Sequence, residues 1–390
     1  MRDAVIVDVV RTPLGKRNGS LRDWHPVDLA AHVLKALETR NGLDPALVDD
    51  VIMGCVMQVG EQALNIGRNA VLAAGWPESV PSTTVDRQCG SSQQAVHFAA
   101  QGVMSGAYDI VVAAGVESMT RVPMGASIDN SFNQDAFSPA QHARYADRGG
   151  LVSQGIGAEM ISEKWGLSRT DLDTYAVESH RRAAEAIAEG RFENEIVPVP
   201  VKDEAGNEVL FAVDEGVREG STVEKLAGLK PAFIPDGKVT AASSSQISDG
   251  AAAVLIMSAE KAEELGLKPR ARFHTFAVAG DDPVKMLTGP IPATHKVLER
   301  SGLTMADIDV TEINEAFASV VLSWAEELKP DMDKVNINGG AIAIGHPLGC
   351  SGARLTTTLL NALEQTGGKY GLITMCEGGG MANATIIETL

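Results

Sequence analysis

The sequence predicts a layered α/β fold with two related halves and an irregular insertion in the first, and three observations lead there. Short, wholly apolar runs alternate with stretches whose apolar residues recur at helical spacing. The alternation breaks between about Met119 and Val239 and then resumes. The two ends of the chain carry matching residues at matching offsets. At 390 residues, with 44% hydrophobic and 22% charged residues, the chain has a globular composition and is too long for one ordinary core.

The elements follow in order. Ala4 to Val10 reads as a fully buried strand and Arg11 to Lys16 as a turn. Asp28 to Leu37 reads as an amphipathic helix, with Leu29, Val33 and Leu37 four residues apart. Val51 to Val56 is a second buried strand and Asn65 to Ala74 a second helix. Ser82 to Val85 is a β-like run leading into Asp86-Arg87-Gln88-Cys89-Gly90, with Gly90 expected to permit a tight turn. Beyond it Ala95, Phe98, Ala99, Val103 and Met104 fall on one helical face, and Tyr108 to Gly115 is the next strand.

Residues 120–155 are rich in Ser, Asn, Gln, Gly and Pro and lack periodicity. A helix is expected from Asp171 to about Glu189, and Val197 to Val201 and Glu208 to Phe211 read as short edge strands. Ser248 to Met257 returns to the core pattern, 258–271 holds a short helix, and Arg272 to Val278 restarts the alternation. The expected division is therefore 1–118 with 240–270, an inserted 119–239, and 271–390. The repeat supports it. Gly42-Leu43 precedes Val48-Asp49 as Gly302-Leu303 precedes Ile308-Asp309, and Met119 follows Tyr108 as Met381 follows Tyr370.

Composition excludes several functions. A formal net charge of −18 with no basic tract argues against a nucleic-acid binder. The cysteines Cys55, Cys89, Cys350 and Cys376 show no CxxC spacing, so neither a zinc cluster nor a disulfide scaffold is expected, and a reduced cytoplasmic setting fits best. No apolar run is long enough to span a membrane, and the N-terminus enters a strand pattern with no room for a signal peptide.

The chemistry-bearing residues collect at element ends. Cys89 stands where a strand becomes a helix, and unpaired N–H groups there favour a thiolate. Glu312-Ile313-Asn314-Glu315-Ala316-Phe317-Ala318 places an amide at a second such junction. Asn338 to Gly349 sets His346 in a glycine-rich turn before an Arg354–Leu363 helix, and Ile373 to Gly380 ends a buried strand in Cys376 and three glycines. Each alone has a structural explanation, such as a helix cap for Asn314 or core filling for Cys376. Together they supply a nucleophile, a base, a second thiol, an amide and free backbone donors.

The segments around Cys89, Asn314 to Phe317, Gly339 to Gly352 and Cys376-Glu377-Gly378 resemble the signature blocks of the thiolase family, in order and along essentially the whole chain. The stretch from Thr240-Ala241 through Ser245 to Asp249-Gly250-Ala251 is similar to that family's CoA-binding segment. The resemblance implies a duplicated five-layer α-β-α-β-α architecture, two halves with five-stranded sheets, and an inserted loop domain. It implies that Cys89 attacks a 3-ketoacyl-CoA, that His346 takes its proton, and that Cys376 protonates the departing acetyl-CoA enolate and then activates CoA. His346 and a water held by Asn314 would stabilise the enolate, and the N–H groups of Cys89 and Gly378 the tetrahedral intermediate. Arg218, Ala232, Phe233 and Ser245 would contact CoA, while Met286 and Phe317 shape the acyl pocket; Lys225 and Lys230 offer local positive charge nearby but read better as solvated surface lysines. No permanent cofactor or metal is implied; CoA is a co-substrate and the assembly a homodimer or homotetramer. Ser153-Gln154-Gly155-Ile156-Gly157-Ala158-Glu159 lacks the His-Met that short-chain biosynthetic members carry there. That favours degradative cleavage of longer or bulkier acyl chains over acetoacetyl-CoA synthesis. Decarboxylating ketoacyl synthases pair their cysteine with two histidines, whereas Cys376 holds the second position here. A non-catalytic CoA-binding scaffold would have no use for the full set of Cys89, Asn314, His346 and Cys376.

Overall fold

The computed structural model describes residues 2–128 and 135–390. The first unit runs β1 (Ala4–Arg11), β2 (Gly15–Lys16), α1 (Pro26–Asn41), β3 (Asp50–Gly54), α2 (Ile66–Ala73), β4 (Ser82–Val85), α3 (Ser91–Ser105) and β5 (Ile110–Ser118). Then come α4 (Pro139–Tyr145), α5 (Gln154–Lys164), α6 (Arg169–Ala188), β6 (Val199–Lys202), β7 (Glu208–Phe211) and α7 (Val223–Ala227). None of these adds a strand to the main sheet; β6 and β7 pair only with each other. β8 (Ser248–Ser258) and α8 (Ala259–Glu264) return to it. The last unit is β9 (Ala271–Gly280), α9 (Pro290–Ser301), β10 (Val310–Ile313), α10 (Ala318–Leu328), α11 (Ala341–Ile344), α12 (Ser351–Thr366), β11 (Tyr370–Glu377) and β12 (Met381–Thr389).

The main sheet runs β10-β11-β12-β9-β1-β8-β5-β3-β4. Its halves are joined between β1 and β9, where Val5 pairs with Arg272 and Ile6 with Ala271. Outward from that seam both halves repeat one pattern. β1, β8 and β5 are antiparallel neighbours and β3 joins β5 in parallel; β9, β12 and β11 are antiparallel and β10 joins β11 in parallel. β4 extends the first half in parallel, and its counterpart is reduced to one parallel bridge between Thr311 and Val335. The sequence repeat is thus structural. Asp49 Oδ2 accepts from Asp109 N (2.6 Å) and Ile110 N (3.0 Å), and Asp309 Oδ2 accepts from Lys369 N (2.7 Å) and Tyr370 N (3.0 Å).

Burial makes the layers. One apolar cluster joins β1, β3, β5 and β8 on one side to β10, β11 and β12 on the other through α3 and α12, which lie between the two half-sheets. A second cluster seals the outer face of the first half under α1 and α2, and a third seals the second half under α9 and α10. Every β8 residue is buried, as a strand covered on both faces must be. Because α3 is central, its first turn is buried too, through Ser91, Ser92, Gln93 and Gln94. Phe98, expected on the buried face, instead is 44% exposed. α1 runs longer than the expected Asp28–Leu37, because His25 caps Val27 N, Pro26 occupies the first turn, and Gly42 closes the helix at φ 56°.

Candidate active site

The turn that carries Cys89 is held by its own polar groups. Asp86 Oδ1 accepts from Gln88 N (2.7 Å), and Ser91 Oγ accepts from Arg87 N (2.9 Å) while donating to Gln88 O (2.6 Å). The left-handed residue is Gln88, at φ 49°, and not the expected Gly90, whose φ is −85°. Gly90 is needed for a different reason: a Cβ there would lie 2.0 Å from Glu377 Oε1. Cys89 is 2% exposed. Backbone N–H groups of Cys89 and Gly378 favour its anion, but burial first and the Glu377 carboxylate second outweigh them and push the thiol up to about 12. The expected low thiol pKa is therefore absent from the resting site, since desolvation exceeds what a nearby helix end supplies.

His346 lies just before α12, whose first turn packs on the first turn of α3. Ala353 N donates to Ser92 Oγ (2.9 Å), and a Cβ on Gly352 would meet Gln93 N at 2.1 Å. The two helix ends that carry Cys89 and His346 are thereby brought together. Ser351 Oγ donates to Pro347 O (2.8 Å) and so accepts from His346 Nδ1–H (2.6 Å). That leaves Nε2 as an acceptor, facing Asn314 Nδ2 at 3.3 Å. Burial, then the Arg354 charge, lowers the imidazole to about 3, so it is neutral at rest. Its backbone N–H reaches Gln246 O (3.1 Å) and Ser248 Oγ (3.3 Å).

Asn314 follows β10, and its N–H bonds Thr374 O (3.0 Å) on β11, two residues before Cys376. Its Oδ1 is buried with no protein partner. Glu315, beside it, is satisfied by Tyr175 Oη, Ser179 Oγ, Asn336 Nδ2 and Ile342 N. Cys376 and Glu377 alternate on β11 and face opposite ways. Cys376 joins the apolar cluster of Ala316, Phe317 and Ile342, and Glu377 faces Gly90. Burial, and next the charge of Cys89, raise the Cys376 thiol well above its ordinary value. A Cβ on Gly378 would meet Gln88 Oε1 at 3.0 Å.

The remaining expected residues divide into two groups. Phe317 and Phe233 meet edge to face with centroids 5.8 Å apart, Ser245 N bonds Ala316 O (2.9 Å), and Ala232 N bonds Val239 O (2.9 Å). Met286, at φ 64°, packs on the same cluster as Phe317 and Cys376. Gly155 on α5 lets the Phe233 ring lie against the helix backbone, since a Cβ there would meet the ring at 2.1 Å. Arg218 is exposed on the rim of a cleft of about 460 Å³ with His180, Arg181 and Ser221, and its N–H donates to His180 Nδ1 (3.1 Å). Lys225 Nζ bonds Gly220 O (2.7 Å) and Lys230 is exposed; neither lines this cleft.

Three residues of the site had no role in the sequence reading. Ser351 orients His346 and stands only five positions after it. Glu117 Oε2 accepts from Val56 N (2.9 Å) and Gly349 N (2.8 Å), and Oε1 from Met57 N (3.0 Å) and Gln62 Nε2 (2.7 Å), so it ties the His346 loop to the first half. A lone acidic residue ending an apolar strand was the only sign of it. Glu377 was visible between Cys376 and Gly378, but its approach to Gly90 brings together segments from the two different halves of the chain.

Comparison with known proteins adds the following. A model of the thiolase N-terminal domain matches residues 4–260 and one of the thiolase C-terminal domain residues 267–389. A steroid 3-ketoacyl-CoA thiolase of Mycobacterium tuberculosis is 53% identical over 100% of this chain and 95% of that protein. A 3-ketoacyl-CoA thiolase of Psychrobacter cryohalolentis is 49% identical over 99% of this chain and 98% of that protein. The crystal structure of the Bacillus anthracis acetyl-CoA acetyltransferase superposes with a TM-score of 0.90 at 40% identity, covering 100% of this chain and 99% of that one.

Proposed function

The chain belongs to the thiolase family, and from that premise we propose how its own residues cleave a 3-ketoacyl-CoA with CoA to acetyl-CoA and a shortened acyl-CoA. It is an acyltransferase of the degradative 3-ketoacyl-CoA thiolase kind. His346 Nε2, held as an acceptor by Ser351, takes the Cys89 proton. The thiolate attacks the keto carbonyl, and the N–H groups of Cys89 and Gly378 receive the oxyanion, a kind of contact typically worth roughly 3–4 kcal/mol of barrier. Carbon–carbon cleavage leaves acyl-Cys89 and the acetyl-CoA enolate, whose oxygen is met by His346 and by a water on Asn314. Cys376 gives the enolate carbon its proton and then takes one from the CoA thiol, which attacks acyl-Cys89 and frees it. The thiols begin neutral, so charge is made only as substrate arrives and is stabilised where it forms.

What supports this reading is geometric: Asn314 Nδ2 lies 3.3 Å from His346 Nε2, Ala353 N on the helix after His346 bonds Ser92 Oγ on the helix after Cys89 (2.9 Å), and Glu377, beside Cys376, lies against Gly90, beside Cys89. CoA is read as lying along Arg218, Ala232, Phe233 and Ser245, with Met286 and Phe317 bounding the acyl chain. The absence of His-Met before Gly155 and the likeness to the steroid 3-ketoacyl-CoA thiolase support bulky acyl chains over acetoacetyl-CoA. The domain division of 1–118 with 240–270, 119–239 and 271–390, a homodimer or homotetramer, and a cytoplasmic setting belong to the same reading. Among the described residues no helix is long and apolar enough to cross a membrane.

The test is acyl transfer itself. Incubation with acetyl-CoA should add one acetyl group, mapped to Cys89 and lost in Cys89→Ala. No label on the unaltered protein refutes the mechanism. A thiolysis profile against chain length should favour long or bulky substrates, and equal turnover of acetoacetyl-CoA refutes that preference.

A further inference from the structure

Both oxygens of Glu377 are buried without a hydrogen-bond partner, and so is Nε of Arg87 across from it. A buried, unpaired carboxylate is costly, of order several kcal/mol, and such a group in a native fold calls for a functional explanation. Its placement suggests one. Glu377 is flanked by Cys376 and Gly378 on β11, and its carboxyl group fills the space against Gly90, next to the nucleophile. The titratable groups facing it are Arg87 from the turn before α3 and the thiol of Cys89, while the Cys376 thiol, on the other face of β11, also feels its charge. His97 on α3 feels Arg87, and Cys89 in turn feels Glu117 on β5.

We propose that Glu377 is a positioning residue for the reaction: holding a proton it permits the Cys89 thiolate, and ionised it opposes that thiolate. This rests on the reading of Cys89 as nucleophile. In the neutral state the carboxyl group adds no charge beneath the sulfur, and the Cys89 proton passes to His346 without working against a second anion. When Glu377 loses its proton to solvent, a negative charge appears within one side chain of both thiols. At an effective dielectric of about 20, a charge at that range shifts thiolate formation by roughly tenfold or more. Burial holds this carboxyl up to about 8 against the pull of Arg87, which places the change just above neutrality. Glu377 thus holds thiolate formation back at alkaline pH, adding to the opposition that burial already supplies.

The test is the rate of carbamidomethylation of Cys89 by iodoacetamide between pH 6.5 and 9.5, read by peptide mass spectrometry so that only Cys89 counts. In the unaltered protein the logarithm of the rate should rise more shallowly above about pH 8. Glu377→Gln should restore the full slope, so that the ratio of variant to unaltered rates climbs about tenfold across the range. Arg87→Met, which removes the cation opposing protonation, should move the break to higher pH. A merely structural role for Glu377 would change the rate by the same factor at every pH. A ratio constant within twofold overturns the proposal while leaving Cys89 as nucleophile. A single straight profile for the unaltered protein overturns it without any variant. No label on Cys89 at any pH overturns both this and the nucleophile reading.

Discussion

The Glu117→Gln substitution probes whether one carboxylate holds the His346 loop to the Cys89 half. Four N–H donors converge on Glu117, two on each oxygen, with the Cys55 thiol a weaker fifth at 3.9 Å from Oε1. Burial pushes this carboxyl up, but an arrangement of four donors suits only the ionised form. An amide in its place turns one oxygen into a donor. Whichever way it flips, two hydrogen bonds are lost and two buried donors are stranded. Either Val56 and Gly349 or Met57 and Gln62 go without. Each hydrogen bond to a charged group contributes about 1.5–3 kcal/mol, so the expected cost is about 3–6 kcal/mol. Urea unfolding of both proteins at pH 7 measures it. The Gly349 link also fixes the loop that carries His346, so kcat should fall at least tenfold with Cys89 still present. A change below about 1 kcal/mol, or an unaltered kcat, would mean that the loop is placed by its own packing and that Glu117 adds nothing.

Three further outcomes are expected. Ser351→Ala strands His346 Nδ1–H and frees the ring to take the other tautomer, so kcat should drop roughly tenfold to a hundredfold with little change in KM, measured by steady-state thiolysis. Gly90→Ala should destabilise the protein, and Gly90→Ala with Glu377→Ala should recover much of that loss in chemical denaturation, because the clash is with the Glu377 side chain. His97 and His346 are lowered to about 3 and His180 to about 4, chiefly by burial. An unfolded histidine takes its proton near 6.5 while these do not, so stability is complete above that value and falls as pH drops toward 3. The slope reaches about 1.4 kcal/mol per pH unit for each histidine, and His97→Gln should reduce it by one proton in urea titrations at pH 4 to 6.

Most of the secondary structure was legible locally. Runs such as Ala113 to Gly115 or Ala251 to Ile256 are apolar on every residue, and only strands covered on both faces tolerate that. The repeat was legible because the same aspartate caps the same strand start in each half, a local device that keeps its residue type. Phe98 was misjudged for the converse reason. Helical periodicity assumes one buried face, whereas α3 is enclosed by two half-sheets and α12, and even its glutamines are inside.

By itself, the sequence determined the order of strands and helices, the interruption after Met119, and the four groups able to do chemistry, because each depends on neighbours within a turn or two. The tertiary structure decided their charge states and their aim. Burial made His346 neutral and raised the Cys89 thiol, Ser351 chose the free nitrogen of the imidazole, and the fold set Glu377 against Gly90 beside that thiol. Proton affinity depends on what water is excluded and which charges face the group. Those are properties of residues distant along the chain that meet only when the layers close.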